Sequence, residues 1–498
     1  MGKKKVYTII VPICIVVILS TFCWWGYNRL SLQEEQADID LFALVPTDCE
    51  AIVEIQDVNA MYKNLHGSHC LPPYDLQEVS SLLDLLMGNI ESLSKQQAHG
   101  LSTEMNRQLL VSFHQPETSR DQIIYGRYAN GDLTSINQLI KAKTGKSYSP
   151  KKTEYKGEKI IIYPIGNDFI ACYLHSGVFA ISFQKKLIEK VIETFTSSHE
   201  KSILLPDKET KHNEQLALYL PRKDKKRSWR HYEIRMNAEA IYLTGKQMLT
   251  EMNLMHENKD ILVERTEGEQ LPYRVQMMVQ TPLHITDSTA EGNTTLSSIL
   301  KENCFQEVTS IQFAPMGTDT VRHQLLMLPI PTNGEEELKQ ALHYPLRAKK
   351  RTSIWMGGKA YPIWQCNADT ALCHYFIQPT TTTDCWISLY QNNLLLADNR
   401  ETLQEYIAGM QAKEATSPSN LDAFLHCLND LAEQANYTLV ADMSNIVSAP
   451  SLATKEYPQI PPLFFKHKDF FKHFMLSTQH INHGGQTHSQ TILKHIDK

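Results

Sequence analysis

The sequence predicts an α+β protein: an N-terminal transmembrane helix, then two similar halves, each a mainly antiparallel sheet with helices packed on one face. Three observations carry this expectation. A run of 22 residues without a charge, Val6–Tyr27, opens the chain. A strand–turn–strand–helix pattern at 168–195 recurs at 384–410. Strands are separated by turns of two to four residues, too short for anything but antiparallel neighbours.

At 498 residues and 57.0 kDa the chain exceeds what one core of about 150 residues holds. Apolar residues at 42% and charged residues at 21% exclude wholesale disorder and fibrous folds. A net charge of −6, from 49 basic and 55 acidic residues, makes no field that would select a polyanion, and nucleic acid is not an expected partner. The expected layout is a cytosolic N-terminus (1–5), a signal anchor (6–27), a polar stalk (28–42), a first half (43–300) and a second half (301–498).

A helix over Val6–Tyr27 would rise about 33 Å, matching a hydrocarbon core of about 30 Å. Lys3, Lys4 and Lys5 precede it, while Trp24, Trp25 and Tyr27 close it at the depth where amphipathic rings settle. Acidic Glu34, Glu35, Asp38 and Asp40 follow. The charge bias expects a single-pass membrane protein with residues 28–498 extracytoplasmic, periplasmic in a bacterium. Bulky Phe22, Trp24 and Trp25 stand where a cleaved signal peptide needs small residues.

The globular part opens at Leu41-Phe-Ala-Leu-Val-Pro46 and the strand-like Ala51–Ile55. A helix is expected over Ser80–Gln97, with Leu82, Leu83, Leu85, Leu86, Ile90 and Leu93 on one face. Asp168–Ser182 reads as a hairpin and Leu187–Phe195 as a helix; Asp384–Asp398 and Leu403–Met410 repeat that order. Ser176-Gly177 then falls opposite Asn392-Asn393, and Leu187 and Glu189 opposite Leu403 and Glu405. Tyr163-Pro-Ile165 recurs as Tyr361-Pro-Ile363, Asn130-Gly131 as Asn333-Gly334, and Tyr232–Asn237 as Tyr437–Asp442. Matches in one order at offsets near 200 residues predict an internal duplication. The join is expected near 284–303, where Thr, Ser, Gly and Asn are dense.

This order resembles a bacterial family known only as a domain of unknown function, whose members are single-span envelope proteins with a duplicated ectodomain. Leu44-Val-Pro46, Ala51–Ile55, Lys156-Gly157, Tyr163-Pro164 and the hairpin–helix unit carry the resemblance. It implies no catalytic residues.

Ten cysteines include two in the apolar run, and no C-x-x-C occurs, so neither a zinc ribbon nor a thioredoxin-type pair is supported. Mostly buried thiols are expected, with Cys49–Cys70 and a bridge among Cys366, Cys373 and Cys385 as candidate pairs. Lys143-Thr-Gly-Lys-Ser147 mimics a phosphate loop, but Ile140 stands where its first glycine belongs. Asp38-Ile-Asp40 sits in the expected stalk, away from any strand end that could present a metal pair.

Six histidines fall in the last 32 residues, and a turn at Gly484-Gly485 would gather His480, His483 and His488 as weak candidates for a metal site. No carboxylate or cysteine in that stretch completes a ligand shell, so no metal or cofactor is expected. Two basic clusters, Arg222–Arg227 and Arg347–Arg351, each have a tryptophan nearby, Trp229 and Trp355. They read as solvated loops or as sites for an anionic glycan or headgroup. Asn436-Tyr-Thr fits an N-glycosylation pattern. Two similar halves without a catalytic constellation point to a non-enzymatic binding or scaffolding module with an envelope protein or glycan partner. The alternative is an anchored envelope hydrolase with a site between the halves.

Overall fold

The computed structural model describes residues 40–56, 108–115, 120–128, 149–165, 168–197, 216–221, 229–237, 239–248, 261–268, 271–272, 274–284, 296–314, 323–346, 351–367, 370–378, 384–413, 419–447, 460, 464–465, 468–483 and 486–496. The chain divides into two compact units, Met1–Arg235 and Met236–Lys498. That division falls earlier than the join expected near 284–303.

In the first unit Asp40 caps a short 3-10 turn, Leu41–Leu44, its carboxylate accepting the Phe42 N–H at 3.2 Å. Leu41, Phe42 and Leu44 are buried. The segment read as the end of a stalk is thus part of the core. Nine strands follow: β1 (Ala51–Ile55), β2 (Leu109–Phe113), β3 (Gln122–Arg127), β4 (Lys151–Tyr155), β5 (Glu158–Ile165), β6 (Asp168–His175), β7 (Val178–Ser182), β8 (Leu216–Pro221) and β9 (Trp229–Met236). All pair antiparallel, in the spatial order β4-β5-β6-β7-β3-β2-β1-β8-β9. Helix α1 (Lys185–Thr196) leaves directly from β7.

Central strands here are covered on both faces, and side chains alternate between two cores. Ile52, Leu110, Ile123, Tyr125, Ala180 and Tyr173 face one of them. Ile55, Val111, Ile124, Phe179, Ile181 and Cys172 face the other. Leu187, Ile188, Val191 and Ile192 of α1 pack into the first, at the spacing of a single helical stripe.

The second unit contains β10 (Ala240–Met248), β11 (Val263–Glu264), β12 (Val275–Pro282), α2 (Leu296–Asn303), β13 (Glu307–Phe313), β14 (His323–Pro329), α3 (Glu335–Leu346), β15 (Arg351–Met356), β16 (Lys359–Asn367), α4 (Thr370–Cys373), β17 (Asp384–Tyr390), β18 (Asn393–Ala397), α5 (Arg400–Lys413), α6 (Ser419–Asn429), β19 (Gln434–Ala435), β20 (Tyr437–Asp442), β21 (Phe474–His483) and β22 (Gln486–His495). Its main sheet runs β15-β16-β17-β18-β14-β13-β12-β20-β21-β22-β10. The first nine positions repeat the order of the first unit pairing for pairing. One face carries Leu403, Tyr406 and Phe424 from α5 and α6; the other carries Leu300, Leu338 and Leu372 from α2, α3 and α4.

Two expectations are corrected by these elements. The fold is largely antiparallel β and not α+β with helices layered on one face. The expected hairpins and their helices are present, but most of the described chain around them adds further strands, and in the second unit the helices occupy both faces. The expectation of a single-pass membrane protein with an extracytoplasmic domain is also corrected. No helix among the described residues is long and apolar enough to cross a membrane. The longest of them, α5, has 14 residues, about 21 Å against the roughly 30 Å of a bilayer core. The run at 6–27 on which that expectation rested lies outside the described residues, as does the helix expected over 80–97.

The repeat also has a different register from the one read off the sequence. Ser176 and Gly177 take positive φ at the β6–β7 turn, and the matching pair is Gln391-Asn392, with Asn393 already paired to Tyr390. Counted from these turns, Ile188, Val191, Ile192 and Phe195 of α1 correspond to Leu403, Tyr406, Ile407 and Met410 of α5. The counterpart of Tyr437–Asp442 is β8, not Tyr232–Asn237, because β8 pairs with β1 as β20 pairs with β12. Tyr163 and Tyr361 are not equivalent: Tyr163 faces Ile170 of β6, whereas Tyr361 faces Ile354 of β15.

A methyl group added at Gly126 of β3 would lie 2.6 Å from Phe179 Cζ and 2.7 Å from Leu109 Cδ2. Gly126→Ala is expected to destabilise the first unit by about 1–3 kcal/mol through overpacking, read from its denaturant midpoint. Leu403→Ala, at a fully buried position of α5, is expected to cost about 2–5 kcal/mol, measured the same way.

Candidate functional site

The first unit holds a chain of polar side chains on its helix-covered face. Ser112 of β2 and His114 just after it point to the same side as Tyr125 of β3. Ser112 Oγ lies 2.9 Å from His114 Nε2 and 3.0 Å from the Tyr125 hydroxyl. His114 Nδ1 faces Asp48 Oδ1 at 3.7 Å, and Lys190 of α1 donates to Asp48 Oδ2. The imidazole of His114 first, and then Lys190, outweigh burial and hold the Asp48 carboxyl well below the usual carboxylate range. Burial before all else pushes the neighbouring Cys49 thiol far up, so it stays protonated and a poor nucleophile.

Carboxylate, imidazole and hydroxyl in this sequence have the connectivity of a hydrolytic triad. Access decides against that chemistry. Ser112 has 0% exposure and His114 2%, so no carbonyl carbon can reach Oγ and no oxyanion can form beside it. The group acts as an anchor: it ties the loop carrying Asp48 to β2, β3 and α1. Sequence reasoning missed it, because Asp48, Ser112, His114 and Tyr125 share no motif and meet only through strand register.

A second polar group lies at the start of α5 in the other unit. His323 opens β14, and its Nδ1 lies 2.8 Å from Thr402 Oγ1. Asn399 caps α5, its Oδ1 accepting the Thr402 N–H at 2.7 Å. Asp398 beside it has its carboxyl pushed upward by burial. In the first unit Asp121 holds the place of His323, and Gln184 Nε2 donates to Asp121 Oδ1 at the start of α1. Both are helix-docking contacts.

Register separates the terminal histidines. His480 lies opposite Ser489, with its Nδ1 2.7 Å from that hydroxyl, and stacks on Tyr437. His483 and His488, opposite Gln486 and Ile481, project from the other face of the β21–β22 hairpin. The three do not converge, and no group of three or more histidine, cysteine, aspartate or glutamate side chains suited to a metal occurs among the described residues. Asn436 is 4% exposed; its Nδ2 donates to the Ile261 carbonyl and its Oδ1 accepts the Asn482 N–H, both at 2.7 Å. A glycan has no room there.

The two tryptophans beside basic clusters differ sharply. Trp229 is buried in the first core, at 5% exposure, and the cluster at 222–227 lies outside the described residues. Trp355 is 75% exposed, the most exposed large apolar side chain among the described residues. It stands on β15, which pairs with β16 alone among the described strands and so ends the sheet. Arg351 on the same strand lies over the Trp364 ring at 5.6 Å, and Lys359 over Tyr361 at 5.4 Å. The result is a backbone edge without a pairing partner among the described strands, with a projecting indole and two cations held on aromatic faces.

No protein-family model matches the chain, and neither a curated protein nor a solved structure does.

Exposed on one side, the Asp48–His114–Lys190 group contributes modestly to stability, about 0.5–1 kcal/mol after solvent screening. The Asp48 carboxyl titrates lower when folded than when unfolded, so its contribution is present above the unfolded value of about 3.9 and fades as pH falls below it. Asp48→Asn is therefore expected to lower the denaturant midpoint at pH 7, with the gap from the parent narrowing as pH falls below about 4 and closing only once pH passes below the depressed folded-state value.

Proposed function

We propose that the protein is a non-enzymatic binding module that takes up an extended, acidic segment of a partner protein along β15. The observation that carries this reading is the exposure of Trp355 on a strand that forms the sheet edge among the described residues. An edge offers main-chain N–H and C=O groups in the spacing of a further strand, and strand addition is a recurrent mode of peptide recognition. A tryptophan at such an edge supplies a large rigid anchor, the residue type most enriched where binding energy concentrates. Arg351 opens β15 and Lys359 opens its partner strand, which favours an acidic segment. Backbone pairing selects a polypeptide over a glycan. The burial of Ser112 and His114 rules that pair out as the nucleophile and base of a hydrolase.

The test uses a synthetic peptide alternating Glu and Val, titrated by calorimetry into the full chain, with amide exchange of Arg351–Met356 followed by mass spectrometry. Saturable binding that protects β15 amides and weakens with added salt is expected. Trp355→Ala should weaken it about 30-fold, as loss of a hot-spot tryptophan does. Equal affinity in the variant, or no protection of β15, would overturn the proposal.

A further inference from the structure

Of the seven buried cysteines in the described residues, two are placed against each other by strand register. Cys366 of β16 lies directly opposite Cys385 of β17. Their sulfurs are 2.9 Å apart, closer than the roughly 3.5–4.0 Å at which non-bonded heavy atoms rest. Directly opposed residues on antiparallel strands hold their Cβ atoms about 4.5–5.5 Å apart, and the disulfide range of about 3.5–4.5 Å meets that spacing at its short end, so a small approach of the two strands suffices. Each residue is 2% exposed. Cys304 and Cys373 belong to the same apolar cluster, but neither stands across a ladder from a second cysteine.

We infer that Cys366 and Cys385 are joined by a disulfide that staples β16 to β17. The bond requires loss of two thiol protons and two electrons. A small disulfide such as glutathione disulfide accepts them by exchange: one cysteine thiolate attacks it and releases a glutathione thiolate. The second cysteine thiolate then displaces the remaining glutathione from the mixed disulfide. Both sulfurs are shut from solvent in the folded sheet, so exchange takes place before β17 closes on β16. Once formed, the bond sits in the same buried apolar cluster as Leu372 and Ile387. It lies one strand in from β15, so the strand that supports the edge is held covalently. The inference stands whether or not β15 binds a peptide.

Full-length protein is refolded with glutathione disulfide or with a phosphine reductant, alkylated in denaturant without further reduction, digested and mapped by mass spectrometry. The oxidised sample is expected to yield a linked pair of peptides holding Cys366 and Cys385, lighter by two hydrogens than the separate peptides. Their alkylated forms should be lost, and Cys373→Ser should leave the link intact. Unfolding of the oxidised wild type should need more denaturant than unfolding of the reduced form. Alkylation of both residues after oxidative refolding, or a link from either of them to Cys373, would overturn the inference. The mapping is made on the wild-type chain and does not depend on a cysteine variant folding.

Discussion

The pairing of β7 with β3, and of β18 with β14, is the contact on which each unit depends. It is a long-range pairing that turns a local four-stranded meander back against a strand formed earlier in the chain. Once made, it places β7 and β18 in the middle of their sheets, where all five residues of each are buried. The helix that leaves β7 or β18 is thereby delivered over the centre of the sheet. Ser182 secures that exit in the first unit, donating to the Gln122 carbonyl at 2.7 Å while accepting the Gln184 N–H at 3.1 Å. Closing such contacts costs loop entropy before any burial is gained, so sheets of this kind fold more slowly than helical bundles of similar size.

The two units keep the same order while exchanging chemistry at matching positions. Ser112, His114 and Tyr125 of the first correspond through the ladders to Ile311, Phe313 and Met327 of the second. Polar groups buried together are costly unless they pair, and in the first unit Tyr125, Ser112 and His114 Nε2 are linked by hydrogen bonds while His114 Nδ1 faces Asp48 at 3.7 Å without a hydrogen bond. Apolar packing fills the same space in the second unit, where Phe313 stacks on His323 at 5.7 Å between ring centres. What the units share is register and burial, and neither needs identical residues. Repeats held together in this way leave little trace in a sequence.

Some elements were legible in the residues because their signals are local. The hairpins at 168–182 and 384–397 announce themselves through short apolar runs around turn residues, and α1 and α5 through apolar spacing of three and four. Other strands were hidden because their neighbours cover both faces. Buried Gln280 in β12, and Thr309, Ser310 and Gln312 in β13, break any alternation of apolar and polar residues. β21 and β22 carry histidine, threonine and glutamine, and only the turn at Gly484-Gly485 marked them as a hairpin; they are the longest strands described. The offset of the repeat by one residue arose because Asn393 resembles a turn residue while occupying the first ladder position of β18. The edge site was half visible: Arg351 and Trp355 drew notice, but only the fold separates an exposed Trp355 from a buried Trp229.

β4 and β15 hold the same place at the end of their sheets, and the contrast between them bears on function. Exposed edges invite unwanted pairing, and charged side chains, lysine above all, are the usual protection. β4 follows that rule with Lys151, Lys152 and Glu154 all exposed. Counted back from the hairpin turns at Lys156-Gly157 and Gly357-Gly358, Trp355 of β15 stands where Glu154 stands in β4. Replacing a protective charge with a three-quarters exposed indole raises the risk of association on any soluble surface. Such an edge is tolerable when it is covered by something specific. In the reading proposed above, Arg351 and Lys359, held over aromatic rings near that edge, disfavour other basic edges and favour an acidic strand, which limits the partners able to cover Trp355.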